Sequence, residues 1–144
     1  MDEFWTTIRA GAGTNNNDAG TVWVAEYSTS ATTDKYQTLE RALGAFATGD
    51  VIPTGSTIDS CSLALVQNSI STDLDPESYR IVGTASTFTN TIPASDFDTL
   101  NTTQMASDLA EASAPGNGNT ATFTCSAAGK TNIAVGSGLT RFGY

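Results

Sequence analysis

Carboxylates are the commonest charged groups in this 144-residue chain: fifteen Asp and Glu face six Lys and Arg, and there is no histidine. Asp73, Asp75 and Glu77 recur at every second position of a polar stretch, a spacing at which hard oxygen ligands can gather around Ca²⁺. No glycine stands where an EF-hand loop turns, and no bidentate Glu follows at the required distance. A solvated acidic loop is therefore expected, and calcium is the one cofactor these residues leave open. Asp96 and Asp98 form a second, weaker pair of the same kind. Paired carboxylates also hydrolyse glycosides, but with fifteen acids such pairs arise by chance. Lack of histidine removes the commonest general base, the Ser–His and Cys–His nucleophile pairs and the commonest metal ligand. No residue is assigned a catalytic role, and a non-enzymatic protein is expected.

Cys61 and Cys125 are too few for a Cys-rich zinc site. Two readings stand for them: buried thiols packed as small apolar side chains, or a disulfide. Without a sign of export the thiols are expected. Ala128-Gly129-Lys130-Thr131 looks like the tail of a phosphate-binding loop. That motif needs Gly five positions before Gly129, where Thr124 stands, so a strand-to-turn connection is expected instead. Trp5, Trp23, Tyr27, Tyr36 and Tyr79 have flat apolar faces suited to stacking on sugar rings. Burial in the core or in a subunit contact competes with that role.

The net charge of −9 repels phosphate, and the bases Arg9, Lys35, Arg41, Arg80, Lys130 and Arg141 are scattered, so no nucleic-acid partner is expected. No apolar stretch approaches the ~20 residues of a membrane-spanning helix. The start, Met1-Asp2-Glu3-Phe4-Trp5, lacks the basic and apolar regions of a signal peptide. Charged residues make up only 15 % of the chain, their place taken by Thr, Ser, Asn and Gly. That surface suits extracellular and virion β-proteins.

Turn-forming residues recur nearly every ten positions, which predicts many short strands within one domain, residues 1–144. Strands are expected at 4–8, 21–27, 36–46, 57–66, 78–85, 120–126 and 139–144. The clearest is 57–66, where Cys61, Leu63 and Leu65 alternate with Ser60, Ser62 and Ala64. Residues 120–126 place Ala121, Phe123 and Cys125 on one face. Ser95 and Asp96 can cap a short helical turn, 103–111 can form about two turns, and 127–135 another. The expected core comprises Leu43, Phe46, Ile58, Leu63, Leu65, Ile81 and Phe123. The fold class is all-β, an antiparallel β-sandwich with one or two short helical turns.

Three segments sharpen this into a resemblance. Arg41 and Phe46, then Ile52-Pro53-Thr54-Gly55-Ser56, Ile58, Leu63 and Leu65, form the first. Residues 79–83 with Ala94-Ser95-Asp96-Phe97 form the second. Residues 123–128, Ile133 and 138–143 form the third. Together, over about residues 36–144, they resemble the DNRLRE-type jelly-roll modules of bacterial surface proteins and phage virion proteins. The departures are Ala47, where that pattern has Asp, and Cys61, where it has a small residue. The resemblance implies a jelly roll and a structural or interaction role on a virion or cell surface, as a decoration, fibre or tail-associated protein; a carbohydrate-binding module is the alternative. Such modules continue one or two strands beyond the position of Tyr144, so either the chain is cut short there or a neighbouring subunit closes the sheet. Residues 139–144 are therefore expected to form an open edge, with Leu139, Phe142 and Tyr144 at a contact with another copy or another surface protein.

Overall fold

Alternation of large apolar and small polar side chains builds the centre of the molecule. The computed structural model describes residues 2–14, 26–67, 78–89, 91–110 and 116–144. Strand β5 (Ser62–Val66) pairs antiparallel with β10 (Thr120–Thr124), Leu63 opposite Phe123 and Leu65 opposite Ala121. Leu63, Ala121 and Phe123 turn inward, while Ser62, Ala64, Thr120, Thr122 and Thr124 face water. The period of two is the expected one, and it buries one face of the pair.

A four-stranded antiparallel sheet of order β4-β11-β7-β8 supplies the opposing side chains. Its strands are β4 (Leu43–Phe46), β11 (Thr140–Gly143), β7 (Val82–Thr84) and β8 (Leu100–Gln104). Phe142 from β11 joins Leu63, Ile81, Met105, Ala106, Ala121 and Phe123 in one core cluster. A short pair, β6 (Ser78–Tyr79) with β9 (Leu109–Ala110), lies beside it, and Tyr79 and Leu109 pack against the same cluster. A further sheet, of order β1-β3-β2, is built from β1 (Glu3–Phe4), β2 (Glu26–Thr29) and β3 (Lys35–Glu40). The protein is thus mostly strands in antiparallel sheets, with the short helices α1 (Trp5–Ala10) and α2 (Ala127–Thr131) and the 3₁₀ turns Thr48–Asp50 and Ala94–Thr99. Among the described residues no helix is long and apolar enough to cross a membrane.

Several expectations are corrected. Residues 36–46 form two strands in two sheets, broken at Arg41-Ala42. At the break the Arg41 guanidinium donates to the carbonyls of Phe97 (2.7 Å) and Arg9 (3.0 Å) and lies 4.3 Å from the centre of the Phe97 ring. Burial, then the like charge of Arg9, lowers its pKa, with Asp98 opposing. Residues 4–8 are only briefly extended; from Trp5 they turn into α1, which leans on β3. The helix expected over 103–111 is replaced by β8, β9 and a bridge between Ala106 and Cys125. The backbone groups there are taken from outside: Met105 N donates to Ile81 O at 2.8 Å, Ser107 N to Thr124 O at 2.9 Å, and Met105 O accepts from Ser126 N at 2.9 Å. Partnered backbone in a packed sheet outweighs a weak local helix preference. Phe46 is 37 % exposed rather than buried: it ends edge strand β4, and its ring reaches only the rim of the core, 6.4 Å from Phe142. Leu43, Ile58 and Leu65 are half-buried.

The open C-terminal edge is also corrected. β11 is an inner strand, bonded to β4 on one side and β7 on the other. Beyond it, Tyr144 N donates to Ala42 O at 2.8 Å and Ala42 N to Tyr144 O at 3.0 Å. Phe142 is buried, Leu139 half-buried, and the Tyr144 ring stacks on Tyr79 (5.9 Å) and meets Phe123 edge-on (6.1 Å). Burial, with a smaller contribution from Tyr79, raises the Tyr144 phenol above its ordinary range. The folded state therefore holds that proton more tightly than the unfolded chain. Stability from this source is intact below pH ~10, the unfolded value, and falls as the pH climbs above it. Urea midpoints between pH 8 and 11 should decline at the alkaline end, and Tyr144→Phe should flatten the decline.

Candidate binding site

The turn from β2 into β3 sets the geometry of a groove in which, among the described residues, two sequence-predicted site residues meet. Ser30 N donates to Lys35 O at 2.9 Å, and the Ser30 hydroxyl accepts from Thr32 N at 2.8 Å, closing residues 30–35 into a tight reversal. At its end Asp34 has φ 61°, the left-handed region that Asp tolerates better than most residues. Lys35 then enters β3 and reaches back: its ammonium donates to Asp2 O at 3.2 Å and lies 4.2 Å from the centre of the Phe4 ring. Thr32 Oγ1 donates to Asp2 Oδ2 at 3.3 Å. These contacts hold β1 on β3, with Glu3 opposite Tyr36 and Phe4 opposite Lys35.

The turn from β1 into α1 brings the Trp5 ring to 5.1 Å from the Tyr36 ring, tilted by 53°. Phe4, Trp5, Thr6, Asp34 and Tyr36 line a shallow, open groove of about 310 Å³. Phe4 is 55 % exposed and Trp5 38 %, large apolar faces left in water. Two members of the proposed stacking set, Trp5 and Tyr36, are therefore neighbours, and Asp34 is a lining residue that composition and periodicity did not single out. A turn-forming Asp immediately before a strand with an aromatic at its second position was the available signal. Tyr27 lies on β2 opposite Leu39, and Trp23 lies outside the described residues. Such a groove can take up a flat apolar surface, and its lining residues include one carboxylate, Asp34, and two hydroxyls, Thr6 and Tyr36.

The other candidates lie elsewhere. Asp73, Asp75 and Glu77 fall outside the described residues. Among the described residues no group of three or more His, Cys, Asp or Glu is gathered as a metal site would require. Asp96 is bonded to the hydroxyl of buried Ser86. Asp108 forms an exposed ion pair with Arg80, whose hydrogen bond holds the carboxyl below its usual range. The segment resembling a phosphate loop is α2, capped by Ser126, whose Oγ accepts from Gly129 N at 3.1 Å. A Cβ on Gly129 would come within 1.9 Å of Met105 O, so that glycine serves close packing. Lys130 donates to Asp59 O at 3.3 Å.

Cys61 and Cys125 form a disulfide, Cα atoms 5.3 Å apart, where the sequence reading expects thiols. Their strands bring them together: Cys125 N donates to Cys61 O at 3.0 Å at the end of the β5–β10 ladder. No protein-family model, no curated protein and no solved structure matches this chain.

Proposed function

We propose that this chain is a non-enzymatic structural and interaction module of a virion or cell surface, of the decoration, fibre or tail-associated kind, and that its sheets follow a jelly-roll sandwich of the DNRLRE type. The observation that carries the reading is the Cys61–Cys125 disulfide. Disulfides persist on cell and virion surfaces and are rare where glutathione keeps thiols reduced. The two-sided core between the β5–β10 pair and the four-stranded sheet supports the sandwich. Its partners in this reading are copies of itself or other surface proteins. Calcium rests on Asp73, Asp75 and Glu77 alone and has no support among the described residues.

The test is made on intact particles or cells of the source. A membrane-impermeant amine reagent should label the chain without lysis, and alkylation before reduction should leave both cysteines unmodified. Recovery of the chain from a reducing cytosolic fraction, with both thiols alkylated, would refute the reading. The alternative, a carbohydrate-binding module, is favoured by one specific observation, the exposed aromatic groove.

A further inference from the structure

We propose that the groove lined by Phe4, Trp5, Thr6, Asp34 and Tyr36 binds a neutral saccharide. This inference rests on the reading of the chain as a non-enzymatic surface module and gives that module its ligand class. Phe4 and Trp5 sit next to each other and are 55 % and 38 % exposed, at a free-energy cost in water that a ligand with its own apolar face would relieve. A pyranose has such a face in its axial C–H groups and keeps its hydroxyls at the edge. The groove's lining is of matching character: three aromatic residues, Phe4, Trp5 and Tyr36, together with the polar residues Thr6 and Asp34. A carboxylate accepts two hydrogen bonds from neighbouring hydroxyls. Asp34, the one non-glycine residue at positive φ among the described residues, takes a left-handed conformation that Asp tolerates, and the turn brings it to the groove.

Charge and size select the class. Asp2, Glu3 and Asp34 outnumber Lys35 and Arg9 at this end of the molecule, and the Lys35 ammonium already serves the Phe4 ring and Asp2 O. The cations nearest the groove, Lys35 and, on α1, Arg9, leave a net negative balance against Asp2, Glu3 and Asp34, which favours a neutral ligand over phosphate, uronate or an acidic peptide. At about 310 Å³ the groove stands at the small end of ligand clefts, which run from ~300 to ~1,000 Å³. It admits a ring or two of a sugar chain rather than the helix or strand of a protein partner.

The chain has two tryptophans, so Trp23→Phe leaves Trp5 as the sole indole reporter. In that background the protein is titrated with cellohexaose, maltohexaose, xylohexaose and mannohexaose, followed by Trp5 emission and by calorimetry. At least one should bind saturably and shift the emission. Asp34→Asn preserves side-chain shape and left-handed tolerance, and should weaken binding about tenfold through loss of the charged acceptor. Trp5→Ala should abolish the calorimetric signal with the circular dichroism unchanged, while Glu40→Gln on β3 should leave it intact. Saturable binding that both groove variants retain overturns the proposal. So does a panel without any response, or an emission change that follows protein concentration alone, which would mean that a second copy covers the groove. Chromatography of the sugars separates the two readings: cleavage products would refute the non-enzymatic reading and leave the groove standing, whereas intact sugars with no binding would refute the groove alone.

Discussion

Replacement of Phe123 by alanine should destabilise the fold by about 3–5 kcal/mol, the range for removing a fully buried aromatic ring. Phe123 is 1 % exposed. It lies opposite Leu63 on β10, packs in the cluster with Ile81 and Phe142, and takes the Tyr144 ring edge-on at 6.1 Å. Truncation removes the transfer free energy of the ring and leaves a cavity between two hydrogen-bonded sheets, which close over a void only partly. A domain of this size is commonly stable by ~5–15 kcal/mol, so the variant would lose a large share of its total. The urea midpoint should drop with little change in slope. Val66→Ala makes the control: Val66 belongs to the neighbouring strand but is 69 % exposed, and its loss should stay within about 0.5 kcal/mol. A Phe123→Ala loss below about 1 kcal/mol would show that the buried face of β10 is the other one.

Reduction of the Cys61–Cys125 disulfide should have an effect of similar size. The bond joins positions 64 residues apart. Closing a loop of that length removes enough unfolded-state entropy to contribute roughly 4 kcal/mol in the chain-entropy account. Its placement adds a native-state term. Cys125 also bridges to Ala106, and the next residue, Ser126, caps α2 and bonds Met105 O. Opening the bond frees the corner where β5, β10 and α2 meet. Melting with and without reductant should differ by roughly 10 °C or more. The paired substitution Cys61→Ala with Cys125→Ala should melt near the reduced protein and ignore reductant. A wild-type melting curve unchanged by complete reduction would refute the assignment of stability to this bond.

Sequence and structure agree where a local pattern and its burial are the same thing. The alternation in 57–66 and 120–126 correctly placed Leu63, Ala121 and Phe123 inside, because a strand with one face in the core must carry apolar groups at every second position. The turn-rich, charge-poor composition correctly specified an all-β chain with short helices. Of the proposed stacking residues, Trp5 and Tyr36 meet in one groove.

What only the tertiary structure decided concerns partners distant in sequence. Whether residues 139–144 form an edge or an inner strand depends on β4 and β7, which lie well upstream in the chain, and nothing within those six residues records the pairing. The same holds for the stretch around Met105 and Ser107, whose amides are bound by Ile81 and Thr124 rather than within a helix. Cys61 and Cys125 become a disulfide because β5 and β10 are in register, a fact invisible in two isolated cysteines. Asp34 enters the candidate site because a left-handed turn sets it beside aromatic residues from the far end of β1 and the start of α1. Side-chain chemistry and period are written locally; pairing, register and the meeting of distant residues are settled by which contacts offset the entropy of closing long loops, and that sum exists only in the folded chain.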